Sequence, residues 1–387
     1  MSALPFAKKG SPMHVAINAW FWNRPDTGSG QYLRRLVEIF ATVPDLKITL
    51  IAPEGWEIDA PSNIAVERIP LKGSGNLAKV NLEQSVFPNA AQRIGADLAH
   101  VPYWGSPLTS PIPVVVTIHD LIPLLLKEYR GGVLARLYTS LVWASARGAS
   151  AVITDSLASA KDIAEHLHID PNSIFPILLA AGPDFQPQAK LLVDMAIRQK
   201  YDLPPGEFVL YLGGYDVRKN IPTLLKAYTY VKTGYDAPLV LAGRLPPKDS
   251  PRFTDPQPLI ESLDLKDIVQ VIGEIAEEDK PALYRLATTF VFPSHYEGFG
   301  LPVLEAMASG TAVVTTNSSS LPEITGDAAF AVDPDDARRM AGSILATLTQ
   351  PETNKDLAAR GLKRAAEFSW PKTAAETLSV YKHVLNL

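Results

Sequence analysis

A chain of 387 residues exceeds what one hydrophobic core usually fills, so two domains are expected. Apolar residues make up 47% and charged residues 20%, which excludes disorder, and the net charge of −5 is scattered rather than blocked, which excludes nucleic acid as the main partner. With no cysteine, neither a disulfide nor a thiolate metal site can form, and a reducing interior suits the chain.

The N-terminal stretch "MSALPFAKKGSPM" carries two lysines with no apolar segment behind them, so no signal peptide is expected. Five short apolar runs follow: 14–20, 47–53, 97–103, 113–120 and 151–156. Between them, 28–43 and 137–149 have apolar residues at helical spacing. The richest apolar stretch, 120–143, is broken by Lys127, Glu128, Arg130, Gly131, Gly132 and Arg136. It reads as a loop running into an amphipathic helix, with contact to a membrane surface left open. No uncharged apolar run approaches the ~18 residues of a membrane span.

From about residue 187 the pattern restarts, with strands expected at 207–214, 238–243, 267–273, 288–294 and 311–317. Apolar strands separated by helices mean parallel sheets covered on both faces. The chain therefore reads as α/β, two doubly wound domains joined near 182–190 and facing each other across a deep cleft. Ligands in such sheets bind outside the carboxyl ends of the strands, and the chemistry-bearing residues sit there.

After the first strand, "PDTGSGQY" places Gly28 and Gly30 before a helix. Such glycines let backbone N–H groups approach an anion, although a plain tight turn explains the same letters. His119 and Asp120 end the strand at 113–118, where an imidazole can donate to a sugar hydroxyl or balance a developing charge; a buried histidine satisfied by carbonyls is the plainer alternative. His100 is a weaker candidate of the same kind. In the second half, "GGYDVRKNIPTLLKAY" gives a tight turn at Gly213 and Gly214, then Arg218 and Lys219 before a helix that Asn220 could cap. Bases at a helix start oppose its dipole unless an anion is present, so a diphosphate fits there.

The stretch "HYEGFGLPVLEAMASG" (295–310) joins two carboxylates, Glu297 and Glu305, to a glycine turn. Pro302 suits a first helical position and Gly310 a helix end. Phosphate can lie on the N–H groups near Gly300 and Leu301. Glu305, one turn inside, leans back toward the same place. A carboxylate repels phosphate but accepts hydroxyl protons, so Glu305 suits a ribose diol and Glu297 the hydroxyls at the far end of a diphosphate. Together these describe a nucleotide sugar. Dipole complementarity alone would explain Glu305, but not Glu297 or the glycines.

These residues resemble the retaining glycosyltransferases of family 4, whose E-x7-E motif matches Glu297 and Glu305. The likeness extends over "TGSGQY", "VVVTIHDL", "ITDS", "AAGPDF", "YLGGYDVRKNIPTLLKAY", "LAGR", "VIGEI" and "FSWPKTAAETLSVY". It implies the GT-B fold: an acceptor-binding domain over 1–185, a nucleotide-sugar-binding domain over 186–365, and a last helix over 366–387 crossing back to the first domain. It implies that Arg218, Lys219, Gly214 and the turn at Gly298, Phe299 and Gly300 hold the diphosphate, with Leu301 beside it. Glu305 would hold the ribose, and the backbone at Glu274 and Ile275 would meet the base. His119 would meet the transferred sugar, and the loop at Gly28 and Gly30 would abut the diphosphate. Two positions depart from the family: Gly214 stands where many members have arginine, and Gln31 where arginine is common.

No Asp-x-Asp metal motif is read after a strand, so the protein's own cations are expected to neutralise the diphosphate, with no metal and no cofactor. The resemblance is greatest to bacterial mannosyl- and rhamnosyltransferases of surface polysaccharide synthesis. It implies a GDP-sugar donor, GDP-mannose first and UDP-sugars next, and a glycan or lipid-linked saccharide acceptor. A cytoplasmic protein, with peripheral docking on the inner face of the membrane left open, fits such an acceptor. Rival readings are a nucleotide-sugar epimerase or a glycan phosphorylase of the same fold, and a non-catalytic nucleotide-sugar-binding scaffold. A dehydrogenase is disfavoured because G-x-G-x-x-G is absent after the strand at 207–212.

Overall fold

The computed structural model describes residues 12–71, 75–129, 132–245 and 252–387. Most of the N-terminal stretch discussed above, and Arg130 and Gly131 of the 120–143 stretch, lie outside these. The chain divides into two compact units. Unit 1 runs to Leu179 and also contains Trp370–Leu387; unit 2 is Ala180–Ser369.

Unit 1 is built on a seven-stranded sheet: β1 (Met13–Asn18), β2 (Leu46–Pro53), β3 (Ala65–Ile69), β4 (Leu98–Val101), β5 (Val114–Thr117), β6 (Ala151–Thr154) and β7 (Ile174–Pro176). Their order in space is β3-β2-β1-β4-β5-β6-β7, and every pairing is parallel. Central strands such as β1, β4, β5 and β6 are buried throughout, as helices on both faces require. The chain's last helix, Trp370–Leu385, belongs to this unit. Thr373 Oγ1 donates to the Leu178 carbonyl at 2.7 Å, and the fully buried Tyr381 stands beside Phe40 and His100.

Unit 2 carries a six-stranded sheet: β8 (Val209–Leu212), β9 (Leu239–Ala242), β10 (Val269–Gly273), β11 (Thr289–Phe292), β12 (Ala312–Thr316) and β13 (Phe330–Val332). The order is β10-β9-β8-β11-β12-β13, again with all pairs parallel. Both sheets reverse their winding direction once, between β1 and β4 in unit 1 and between β8 and β11 in unit 2. The loops that leave these strands open a crevice at the reversal, the place where doubly wound folds bind ligands.

All ten expected strands are present. The three that the sequence pattern missed, β3, β7 and β13, are all at sheet edges. Their residues have mixed exposure, so no continuous apolar run marks them. The missed β13 also corrects one expectation: Asp333-Pro334-Asp335, an Asp-x-Asp pair, does follow a strand. Asp333 spends an oxygen on the N–H of Asp335 at 2.9 Å. No group of three side chains placed to hold a metal occurs among the described residues.

The 120–143 stretch forms a short helix, Ile122–Leu125, a single 3-10 turn, and a helix over Val133–Ala146. No described helix is long and apolar enough to cross a membrane.

Candidate active site

In unit 2 the carboxyl ends of β8 and β11 bring three candidate residues, Arg218, Lys219 and Glu297, into one ion-paired cluster with Asp216. The 3-10 turn Val217–Lys219 follows β8, and the loop after β11 carries Glu297. Lys219 Nζ is 2.7 Å from Glu297 Oε1, and Arg218 Nη1 is 2.7 Å from Glu297 Oε2. Arg218 also binds Asp216 Oδ1 through Nε at 2.9 Å and donates to the Tyr296 carbonyl at 3.0 Å. Lys219 lies over the Phe292 ring, 4.6 Å from its centroid. Burial opposes a charge on Glu297, but the two cations outweigh it and hold the carboxyl down at about 2. Each oxygen of Glu297 is already taken by a cation, so a sugar hydroxyl would have to share one.

Backbone and hydroxyl contacts fix this loop. The Glu297 N–H donates to Ser319 Oγ at 2.8 Å, and Ser320 Oγ donates to the carbonyls of Glu297 and Phe299 at 3.0 and 2.6 Å. Asn220 differs from expectation. It occupies the cap position with φ 56°, but its side chain makes no capping bond. Its amide instead donates to the Pro293 carbonyl at 3.1 Å and the Pro334 carbonyl at 2.7 Å, tying the ends of β11 and β13 to the β8 loop.

The helix Leu301–Ala308 begins where expected, with Pro302 in its first turn and Gly310 just past its end. Gly300 precedes it at φ 117°, a backbone conformation that favours glycine; a Cβ there would stand 2.9 Å from Leu321 Cδ2, the movable end of a side chain. The N–H groups of Val303 and Leu304 turn back onto the Gly300 carbonyl. Pro302 has none, so Leu301 supplies the first-turn N–H without a partner inside the helix. Glu305 is buried, and the hydroxyl of the fully buried Tyr284 donates to its Oε2 at 3.0 Å. Burial pushes this carboxyl up to about 7, with Lys280 and the Tyr284 bond working against the rise. The two glutamates of the motif thus sit in opposite electrostatic states, one held ionised by cations and one poised near neutrality. Gly214 ends the β8 turn, its carbonyl accepting from Tyr211. Gly298 and Phe299 lie in the loop before the helix, and Glu274 and Ile275 follow β10, the first exposed and the second buried.

In unit 1, His119 follows β5. Its Nδ1 is 2.7 Å from Asp155 Oδ2, and its Nε2 is buried without a well-formed hydrogen bond. Burial disfavours the charged ring, but Asp155 outweighs it, so the pKa lies above the ordinary histidine value. Tyr32 packs edge-on, 5.1 Å between centroids. This is an acid-oriented imidazole rather than one satisfied by carbonyls alone. His100 is the opposite case. It is fully buried between Thr117 Oγ1 at 2.9 Å and Tyr381 OH at 2.6 Å, and burial drives it down to about 3; it is a core residue.

The glycine loop opens the helix Gly28–Phe40, capped by Thr27, whose Oγ1 accepts from the Gly30 N–H at 3.2 Å. A Cβ on Gly30 would lie 1.9 Å from the Arg24 carbonyl oxygen, whereas Gly28 faces open space. The close turn therefore accounts for Gly30, and Gly28 is the glycine left open to a ligand. Three residues outside the expected set partner expected ones: Asp155 in unit 1, and Asp216, which lies in the same "GGYDVRKN" segment as Arg218, and Tyr284 in unit 2. Asp155 could have been found in "ITDS", at the carboxyl end of a strand; Tyr284 left no signal, because only the tertiary fold brings it to Glu305.

Residues 194–364 match the family described as Glycosyl transferases group 1, and residues 27–177 match Glycosyltransferase Family 4. The O-antigen chain mannosyltransferase B of Escherichia coli is 34% identical over 270 residues, covering 69% of this chain and 70% of that protein.

The chain belongs to glycosyltransferase family 4.

Its serotype-specific relative WbdA, also from Escherichia coli, is 34% identical over 287 residues, 71% of this chain but only 34% of that longer protein. Among solved structures, sucrose-phosphate synthase from Thermosynechococcus elongatus superposes with a TM-score of 0.76 at 21% identity, covering 97% of this chain and 99% of that one. The fold of this family 4 glycosyltransferase is accordingly GT-B, with two Rossmann-like units, and the chain is a glycosyltransferase enzyme.

Proposed function

We propose that this enzyme transfers mannose from GDP-mannose to a glycan or lipid-linked saccharide in surface polysaccharide synthesis, with retention at the anomeric carbon and without a metal. The observation that carries the reading is the Arg218–Lys219–Glu297 cluster at the sheet reversal of unit 2, beside the helix start at Leu301. Breaking the anomeric bond leaves negative charge on the β-phosphate, and preorganised donors at that spot lower the barrier. Asp216 and Glu297 already balance Arg218 and Lys219, so the pull on phosphate comes from aimed N–H groups and helix N-termini as well as from formal charge. Glu297 orients both cations. Glu305 accepts the ribose hydroxyls, the Glu274–Ile275 backbone meets the base, and His119 is assigned to the transferred sugar.

Mannose is favoured over other hexoses by two mannosyltransferase relatives at 34% identity; a UDP-sugar is the second reading. A cytoplasmic location with the acceptor drawn from the inner membrane face completes the proposal. Incubating the protein with GDP-mannose or UDP-glucose, an α-mannoside acceptor and EDTA tests it. The expected result is an α-linked mannosyl product from GDP-mannose, read by NMR. Donor consumption without acceptor would instead point to an epimerase, and binding without turnover to a scaffold.

A further inference from the structure

The sheet reversal of unit 1 also carries a built surface, and it differs from that of unit 2. Aromatic side chains leave three neighbouring strands at their carboxyl ends: Trp20 and Phe21 after β1, Trp56 after β2, and Tyr103 after β4. Trp20 and Trp56 are half-buried, with ring centroids 5.4 Å apart at 40°. Trp20, Phe21 and Tyr103 rest on the unit 1 core. Trp56 comes from a loop and leans on Trp20.

Phe21 meets Tyr103 edge-on at 4.8 Å. The Lys79 ammonium lies over both rings, 5.6 and 5.0 Å from their centroids, and is held 3.2 Å from Glu83. The floor under the tryptophans is therefore fixed. Asn18, at the end of β1, is fully buried. Its Oδ1 accepts from the Trp20 N–H at 3.0 Å, while its Nδ2 makes no well-formed hydrogen bond and has the Tyr103 hydroxyl as its polar neighbour. An oriented amide donor beside a half-exposed tryptophan pair matches one kind of ligand: a pyranose, whose C–H face stacks on an indole and whose hydroxyls accept a hydrogen bond.

We propose that Trp20 and Trp56 form the stacking platform for the acceptor saccharide and that the Asn18 amide fixes one of its hydroxyls. This rests on the transferase reading and names the residues and the manner by which unit 1 would recognise the acceptor. Trp20 and Trp56 are specificity residues, with no part in the chemistry. Nucleotide binding by unit 2 is independent of them, so the two proposals fail separately.

The test titrates the full chain with mannotriose by calorimetry, with saturating GDP, for wild type, Trp56→Ala, Trp20→Ala and Trp20→Phe. Trp56 is half-exposed on a loop, so its removal leaves the fold intact, checked by an unchanged melting temperature. Each alanine variant is expected to weaken mannotriose binding about tenfold, with Trp20→Phe retaining most of it and nucleotide stabilisation unchanged in all. Wild-type affinity in Trp56→Ala, or no mannotriose binding by the wild type, would overturn the platform. A wild type that no nucleotide stabilises would instead sink the transferase reading.

Discussion

The two sheets wind in the same order and reverse at the equivalent place, yet the crevices carry different chemistry. In unit 2 the strands leaving the reversal deliver ion pairs and a helix start: Arg218, Lys219, Glu297 and Leu301. In unit 1 they deliver rings and an acid-oriented imidazole: Trp20, Phe21, Tyr103 and His119. The fold sets where a ligand can bind, and the loop residues set which ligand it is. Directed N–H groups and cations suit a diphosphate; aromatic faces suit a pyranose.

The sharpest break in this comparison is at Glu297. Glu297→Gln removes the shared partner of the buried Lys219 and the partly buried Arg218, and a buried pair that loses one member costs about 3–5 kcal/mol. Chemical denaturation is expected to show a loss of this order. Lys219→Ala, which removes the proposed donor to the leaving phosphate, is expected to lower transfer about a hundredfold while unit 1 binds saccharide as before. A variant with near-wild-type turnover would break the assignment of unit 2 to the leaving group.

Glu305 sharpens the comparison through pH. Its carboxyl titrates near 7 in the folded protein, against an ordinary value of 4.5. The folded state therefore favours the protonated form, and this contribution is full below pH 4.5 and lost as pH rises through about 7. Ribose hydroxyls need the ionised form, so nucleotide affinity is expected to rise severalfold between pH 6 and 8. Glu305→Gln should flatten both profiles. A pH-independent dissociation constant in the wild type would remove Glu305 from the ribose.

Asp216→Asn is expected to act in the favourable direction. It releases Arg218 from one of its two carboxylates, leaving the cluster one charge more positive, and nucleoside diphosphates should bind severalfold tighter at low salt. Weaker binding would mean that Asp216 positions Arg218 more than it neutralises it. The smallest effect is expected in unit 1. Asp155→Asn removes the charge that outweighs burial at His119, so the His119 ring should titrate at lower pH by NMR, with little change in nucleotide binding. An unmoved titration would show that Asp155 does not set its charge.

Much of this was legible in the sequence, for physical reasons that also explain the gaps. The inner strands are continuous apolar runs because both faces are covered, whereas β3, β7 and β13 are edges with mixed exposure and leave no such trace. Glu297, Lys219 and Arg218 announced themselves by charge beside glycine turns. Their mutual pairing did not, since Lys219 and Glu297 are 78 positions apart in the chain. The Asn220 amide reaching two carbonyls, and the Tyr284 hydroxyl on Glu305, are likewise products of long-range packing. The glycine loop at Gly28 and Gly30 looked like a single anion cradle, but one glycine is there for close backbone approach.

The central claim is that unit 2 holds a nucleoside diphosphate with protein groups alone. Thermal unfolding of the protein with GDP, UDP, ADP and dTDP, each in EDTA and in Mg²⁺, tests it most directly. A ligand at a hundred times its dissociation constant adds about 2.7 kcal/mol to the native state, a readily measured rise in melting temperature. The account predicts that one nucleotide, GDP first, raises the melting temperature equally with and without Mg²⁺. A panel in which none does, or in which stabilisation appears only with Mg²⁺, would contradict it.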